Sequence, residues 1–164
     1  MSLNSRAACD QYPVDPSNPD DRQRLQSYIW ADQPARLERL DAALELAHKS
    51  GLKVEKADAA GWIEQKLSGD LPQGTTVIYH SVFFQYPPKD VRQAIGDAIE
   101  KAGNRVSGER RLAWVRFEPD AVIGGPRGST RYVLNTVNWD GVGRHETTLA
   151  DVDPHGRSLR WLSP

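Results

Sequence analysis

The sequence holds one cysteine, Cys9, so no disulfide can close within the chain, and a reducing setting, the cytoplasm, is expected. No apolar run approaches the roughly 18 residues of a membrane-spanning helix, and the amino terminus lacks the apolar core of a signal peptide. Membrane partners are therefore not expected. The 21 lysines and arginines nearly match the 22 aspartates and glutamates, a formal net charge of −1, which gives no electrostatic reason to expect nucleic acid. Zinc-spaced cysteine pairs, a Ser-His-Asp signature and a basic-aromatic stripe are all missing. So are internal repeats and low-complexity tracts. What remains is 164 residues, enough for one α/β domain over 1–164 with a substantial core. Met1-Ser2-Leu3 reads as an added leader and carries no structural weight.

The richest stretch is Thr75-Thr-Val-Ile-Tyr-His-Ser-Val-Phe-Phe-Gln-Tyr-Pro-Pro88. Thr75 to Val82 is dense in β-branched and aromatic residues with little apolar/polar alternation. That composition predicts a central parallel strand buried on both faces, the most buried of the chain. The strand ends in His80, Ser81 and Gln85 before Pro87-Pro88 opens a helix. In open α/β sheets ligands bind beyond the carboxyl ends of the strands, which makes this end the expected site.

Upstream, residues 10–20 carry three prolines and three aspartates and read as an extended lead-in over 1–20. Asp20 or Asp21 is the expected cap of a short helix bearing Leu25, Tyr28 and Ile29. Asp32 is the expected cap of a second helix, with Pro34 in its first turn and Leu37, Leu40, Leu44 and Ala47 on its apolar face. Ser50-Gly51 stops it. Lys53 to Ala57 is a short strand, and Asp58 caps a helix with Trp62, Ile63 and Leu67 on one side.

Downstream, Lys89 to Ala102 is helical through Val91, Ile95, Ala98 and Ile99, and Gly103-Asn104 ends it. Its crossover is expected to be right-handed. Leu112 to Glu118 is the next strand, and 121–130 is a glycine-rich loop. Arg131 to Asn138 and Glu146 to Val152 form an antiparallel pair around Asp140-Gly141, with a loop longer than two residues. Ser158 to Leu162 closes the chain. Strand/helix alternation over 21–130 followed by antiparallel strands over 131–164 predicts a parallel sheet extended at one edge, with helices on both faces.

Several segments resemble a bacterial family known as domain of unknown function 2332. They are Cys9-Asp10 through Asp15-Pro16, Ser27 to Gln33, Ala57-Asp58-Ala59, Tyr79-His80-Ser81-Val82, Trp114 to Pro119 and Asp153-Pro154-His155-Gly156-Arg157. Full-length members are larger, and their earlier half carries a segment similar to the first nucleotide-binding turn of class I methyltransferases. No Gly-x-Gly-x-x-Gly follows a strand here. The resemblance thus implies the later half of a Rossmann-like, methyltransferase-like sheet. Lys53–Ala57, Thr75–Val82 and Leu112–Glu118 would be its third, fourth and fifth strands. S-adenosylmethionine would be the cofactor of a full-length relative, with none certain for this chain. Without a first strand, the edge of Thr75 to Val82 would be open. It would be covered by a homodimer or an N-terminal half, or paired directly with Lys53 to Ala57.

The candidate site residues each carry two readings. Asp58 is a ligand to a cofactor's adenine or simply a helix cap. His80, with Glu118 or Asp120 across the crevice, is a general base or a hydrogen-bonded structural histidine. Ser81 and Phe83 would line a cofactor pocket, with Tyr79, Phe84 and Tyr86 as flat walls or as ordinary core. Asp151, Asp153 and His155 have metal-like spacing, but the interleaved proline and glycine describe a tight turn, and no metal is expected. Gly124 to Gly128 has the glycine content of a phosphate cradle without a following helix, so it reads as a mobile loop. Cys9 has no neighbour to activate it.

Three functions follow: a methyltransferase-like half that is not active alone, a non-catalytic binding or assembly module, and a small hydrolase built on His80. The missing Gly-rich turn weighs against independent cofactor binding. The missing nucleophile motif weighs against the hydrolase.

Overall fold

A computed structural model describes residues 2–51 and 53–162, which form two compact units, Met1–Trp62 and Ile63–Pro164. Met1 of the expected leader lies outside the described residues.

In the first unit, strand β1 (Cys9–Asp10) pairs in parallel with β2 (Glu55–Lys56), Cys9 opposite Glu55. Helix α1 (Pro19–Ser27) is capped by Asn18, whose side-chain oxygen accepts the Asp20 N–H at 2.9 Å. Asp20 and Asp21 therefore sit inside the helix. Pro19 has no N–H to satisfy and a pre-set φ, which lets the helix begin one residue before the aspartates. Tyr28 is the C-cap and Ile29 lies beyond it. Helix α2 (Pro34–Ser50) begins after Gln33 with no side-chain cap, so Asp32 does not cap it. Gly51 ends it in the left-handed region at φ +63°, where a side chain would be strained. Arg22 pairs with Glu45 at 3.1 Å and Gln26 donates to Asp41 at 2.7 Å, tying α1 to α2. Helix α3 (Ala59–Lys66) begins in this unit and runs across its boundary at Trp62; it is capped by Asp58, whose Oδ1 accepts the Gly61 N–H at 2.9 Å.

The second unit is a five-stranded sheet in the order β3-β4-β5-β6-β7. Its strands are β3 (Gly74–Ser81), β4 (Arg110–Pro119), β5 (Tyr132–Trp139), β6 (Arg144–Val152) and β7 (Leu159–Trp161), and helix α4 (Lys89–Gly103) links β3 to β4. β3 and β4 are parallel, as the alternation implied, and every later pairing is antiparallel. The β5–β6 loop spans 140–143, longer than two residues. Leu112 and Trp114 of β4, Val137 and Trp139 of β5 and Ile95 and Ile99 of α4 are buried and form the core. Gly103 lies against the Trp139 indole so closely that any Cβ there would overlap the ring.

Two expectations about the sheet also fail. Thr75 to Val82 is not the most buried strand: β3 is an edge of the sheet, with Val77 56 % and Tyr79 62 % exposed. Its residues do alternate, Thr76, Ile78 and His80 inward and Thr75, Val77, Tyr79 and Ser81 outward. The outward residues are β-branched and aromatic, so strand propensity there imitates burial. The most buried strands are β4 and β5. Nor does Lys53 to Ala57 extend this sheet or pair with β3. Its strand, β2, bonds to β1, a two-residue partner hidden within the proline-rich lead-in.

Candidate active and ligand-binding site

One face of β4 carries Leu112, Trp114, Arg116 and Glu118 at every second position, all buried. The first two pack beneath α4. The last two are charged, so the same face changes from apolar to polar toward the carboxyl end of the strand. In β3 the inward row ends at His80, in register with Arg116.

Glu118 is fully buried, and its Oε1 accepts two hydrogen bonds, from His80 Nδ1 at 2.7 Å and from the Phe83 N–H at 2.8 Å. An oxygen already accepting a backbone N–H leaves Nδ1 as the donor in the histidine pair. His80 stacks on Phe84 at 4.3 Å between ring centroids and meets Phe83 edge-on at 5.8 Å. Its Nε2 is enclosed without a partner, as is Glu118 Oε2. The backbone turns sharply here: Val82 stands at φ +50°, a strained conformation for a β-branched residue, and its N–H donates to the Phe117 carbonyl at 2.7 Å. Glu118 thus fastens both the last inward residue of β3 and the turn that follows.

Arg116 is the hub of a second network. Its guanidinium lies 4.5 Å above the Trp114 ring and donates to Asn135 Oδ1 at 3.0 and 2.5 Å and to Glu146 at 2.6 Å. Burial pulls the arginine's pKa below its usual value, against the raising effect of Glu146. For Glu146 burial acts upward, but Arg144 and Arg116 together hold the carboxyl below its ordinary range.

Beyond the end of β4 the chain makes a single 3-10 turn, Asp120–Val122, and the Asp120 carbonyl accepts the N–H groups of Ile123 and Gly125. The loop that follows closes one side of a cavity of about 310 Å³, whose floor includes Asn135 on β5 and Glu146 and Thr148 on β6. Asp120 belongs to the wall and is only 6 % exposed. Among the described residues its Oδ1 has no hydrogen-bond partner, and its Oδ2 lies 3.6 Å from Arg131.

His80 and Glu118 are therefore brought together, with Phe83 against them. Ser81 alternates to the other side of β3 and is exposed. Asp58 belongs to the first unit, where it caps α3. Asp120 faces Arg131, and Tyr79 and Tyr86 are exposed rather than walls, whereas Phe84 is buried. Asp151 pairs with Arg131 and Arg160, and Asp153 accepts the His155 N–H and the Arg157 guanidinium, so both carboxylates are spent on a turn and its flanks. Gly124 to Gly128 lies in a loop, as expected, and Gly124, Gly125 and Pro126 of it line the cavity. Arg116, Asn135, Glu146 and Thr148 escaped the sequence reading. For Arg116 and Asn135 the one signal was polarity at inward positions of otherwise apolar strands, Arg116 two residues after Trp114 and Asn135 two before Val137; Glu146 and Thr148, exposed on a polar strand, gave none.

A family model described as "Uncharacterized protein conserved in bacteria (DUF2332)" matches residues 1–161. No curated protein and no solved structure matches the chain. No helix among the described residues is long and apolar enough to cross a membrane.

Proposed function

The chain belongs to the DUF2332 family of bacterial proteins, and we propose that it is a ligand-binding module on the later half of a Rossmann-like, methyltransferase-like sheet, without chemistry of its own. The parallel β3–α4–β4 unit and the polar groups at its carboxyl end support the Rossmann-like reading. The observation that carries the binding function is the cavity beside that end, walled by a buried carboxylate and lined by residues of the β4–β5 loop, β5, β6 and Leu162 after β7.

Geometry disfavours the hydrolase. Glu118 on Nδ1 would orient the ring for base catalysis, but His80 Nε2 is enclosed and Ser81 faces away. His80 and Glu118 act instead as positioning residues that lock the turn after β3. S-adenosylmethionine would lack a Gly-rich turn for its amino-acid end, so calorimetry should find weak binding or none with it or its demethylated product. The unpaired edge of β3, flanked by exposed Val77 and Tyr79, supports a partner there, a second copy or an N-terminal half, in a cytoplasmic setting.

The test is a thermal-denaturation screen of small polar metabolites on wild type and Thr148→Phe, an exposed strand position where an aromatic side chain fills the cavity. Compounds that raise the melting temperature of wild type and not of the variant are expected. A screen with no stabilising compound, or one with equal shifts in both proteins, contradicts the reading.

A further inference from the structure

We propose that the cavity beyond β4 takes a small organic ammonium compound whose cationic head is held by Asp120; the inference rests on the binding function above and specifies its ligand class. Asp120 is a nearly enclosed carboxylate in the cavity wall with one oxygen unpartnered. A desolvated carboxylate is stable only with donors, and charged donors serve best. Arg131 does not fill that role. It stands 3.6 Å from Oδ2, beyond hydrogen-bond length, and its guanidinium donates to Asp151 at 3.1 and 2.5 Å. The other acid of the cavity, Glu146, is already matched by Arg116 at 2.6 Å and Arg144 at 2.9 Å. Asp120 is thus the acid of the cavity left without a hydrogen-bonded cation: its one ion pair among the described residues, to Arg131 in the same lining, is long at 3.6 Å.

The rest of the cavity selects the body of the ligand. Asn135 Oδ1 is taken by Arg116, while its Nδ2 has only 3.4 Å contacts to Glu146 and Thr148. The Thr148 hydroxyl, which accepts from that amide, keeps its own proton to donate to an acceptor on the ligand, and the long Asn135 bonds can be exchanged for a shorter one. Val133 and Leu162 supply apolar wall. A cavity of about 310 Å³ lies at the small end of ligand pockets, the scale of an amino amide or amino alcohol. The loop is fitted to Asp120: a Cβ at Gly125 would stand 2.8 Å from the Asp120 carbonyl oxygen and 2.9 Å from its carboxyl carbon. A metal ion is the weaker occupant, because no group of three His, Cys, Asp or Glu side chains among the described residues is placed to hold one.

Proton–nitrogen NMR titration with glycinamide and butylammonium tests the proposal, with glycolamide and butyrate as uncharged and anionic counterparts. Both ammonium probes should shift the Gly125 and Asn135 amides in wild type. Asp120→Asn should weaken them by at least about tenfold, and the counterparts should bind wild type no better than the variant. Thr148→Phe, which leaves Asp120 in place, should abolish the shifts whether or not Asp120→Asn folds well. An anionic probe binding as tightly as its ammonium counterpart, or ammonium binding unchanged in a folded Asp120→Asn, overturns the proposal. Absence of any shift overturns it too. The binding function then stands if the thermal screen still separates wild type from Thr148→Phe with ligands of another charge, and falls with it if that screen finds none.

Discussion

Two single residues fasten opposite ends of the sheet in the second unit. Gly103 lets the end of α4 rest on the face of the Trp139 indole, so Gly103→Ala should lose about 1–3 kcal/mol through overpacking, read as a lower urea midpoint with an unchanged slope. Glu118 is fully buried and accepts from both His80 and Phe83. Glu118→Ala strands two buried donors at about 1–3 kcal/mol each. Glu118→Gln retains a carbonyl acceptor and should recover much of that loss. If the two variants proved equally stable, Glu118 would not be the fastener of the post-β3 turn. His80 and Glu118 were legible in the sequence because each ends an apolar run. The Asn18 cap was obscured by the neighbouring aspartates, since preference tables rank all of them as good caps and only Pro19 decides between them.

At the scale of elements, the carboxyl-terminal turn is an electrostatic assembly. The Arg157 guanidinium holds the Asp153 carboxyl well below its usual range, and Arg131 and Arg160 do the same for Asp151. A carboxylate whose folded pKa is depressed contributes stability that is complete above its unfolded value, 3.8 for aspartate. That stability is lost as the pH falls through the folded pKa. Urea midpoints should therefore hold down to about pH 5 and decline below about pH 4, and Asp153→Asn should flatten the decline. An unchanged acid slope in that variant would contradict the assignment. The parallel step from β3 to β4 was legible because an amphipathic helix separates two strand-like runs. The edge position of β3 was not, because Val77 and Tyr79 have the composition of core while lying in solvent. β1 was illegible for a simpler reason: two residues carry no periodicity.

Over the second unit as a whole, one sheet face is divided between two tasks. Its amino-terminal β4 half, Leu112 and Trp114, is sealed by α4, and its carboxyl-terminal half passes through Arg116 and Glu118 to the open cavity at Asp120. This division is what a binding module on an α/β sheet requires: a dry core to fix the strands and a polar end to meet the ligand. The most direct measurement is amide chemical-shift mapping with the compound that most stabilises wild type in the thermal screen. The account predicts shifts gathered on Gly124, Gly125, the Asn135 side chain and Thr148, with His80 and the exposed face of β3 unaffected. Shifts centred on Val77 and Tyr79, or on His80 with the cavity silent, would contradict it.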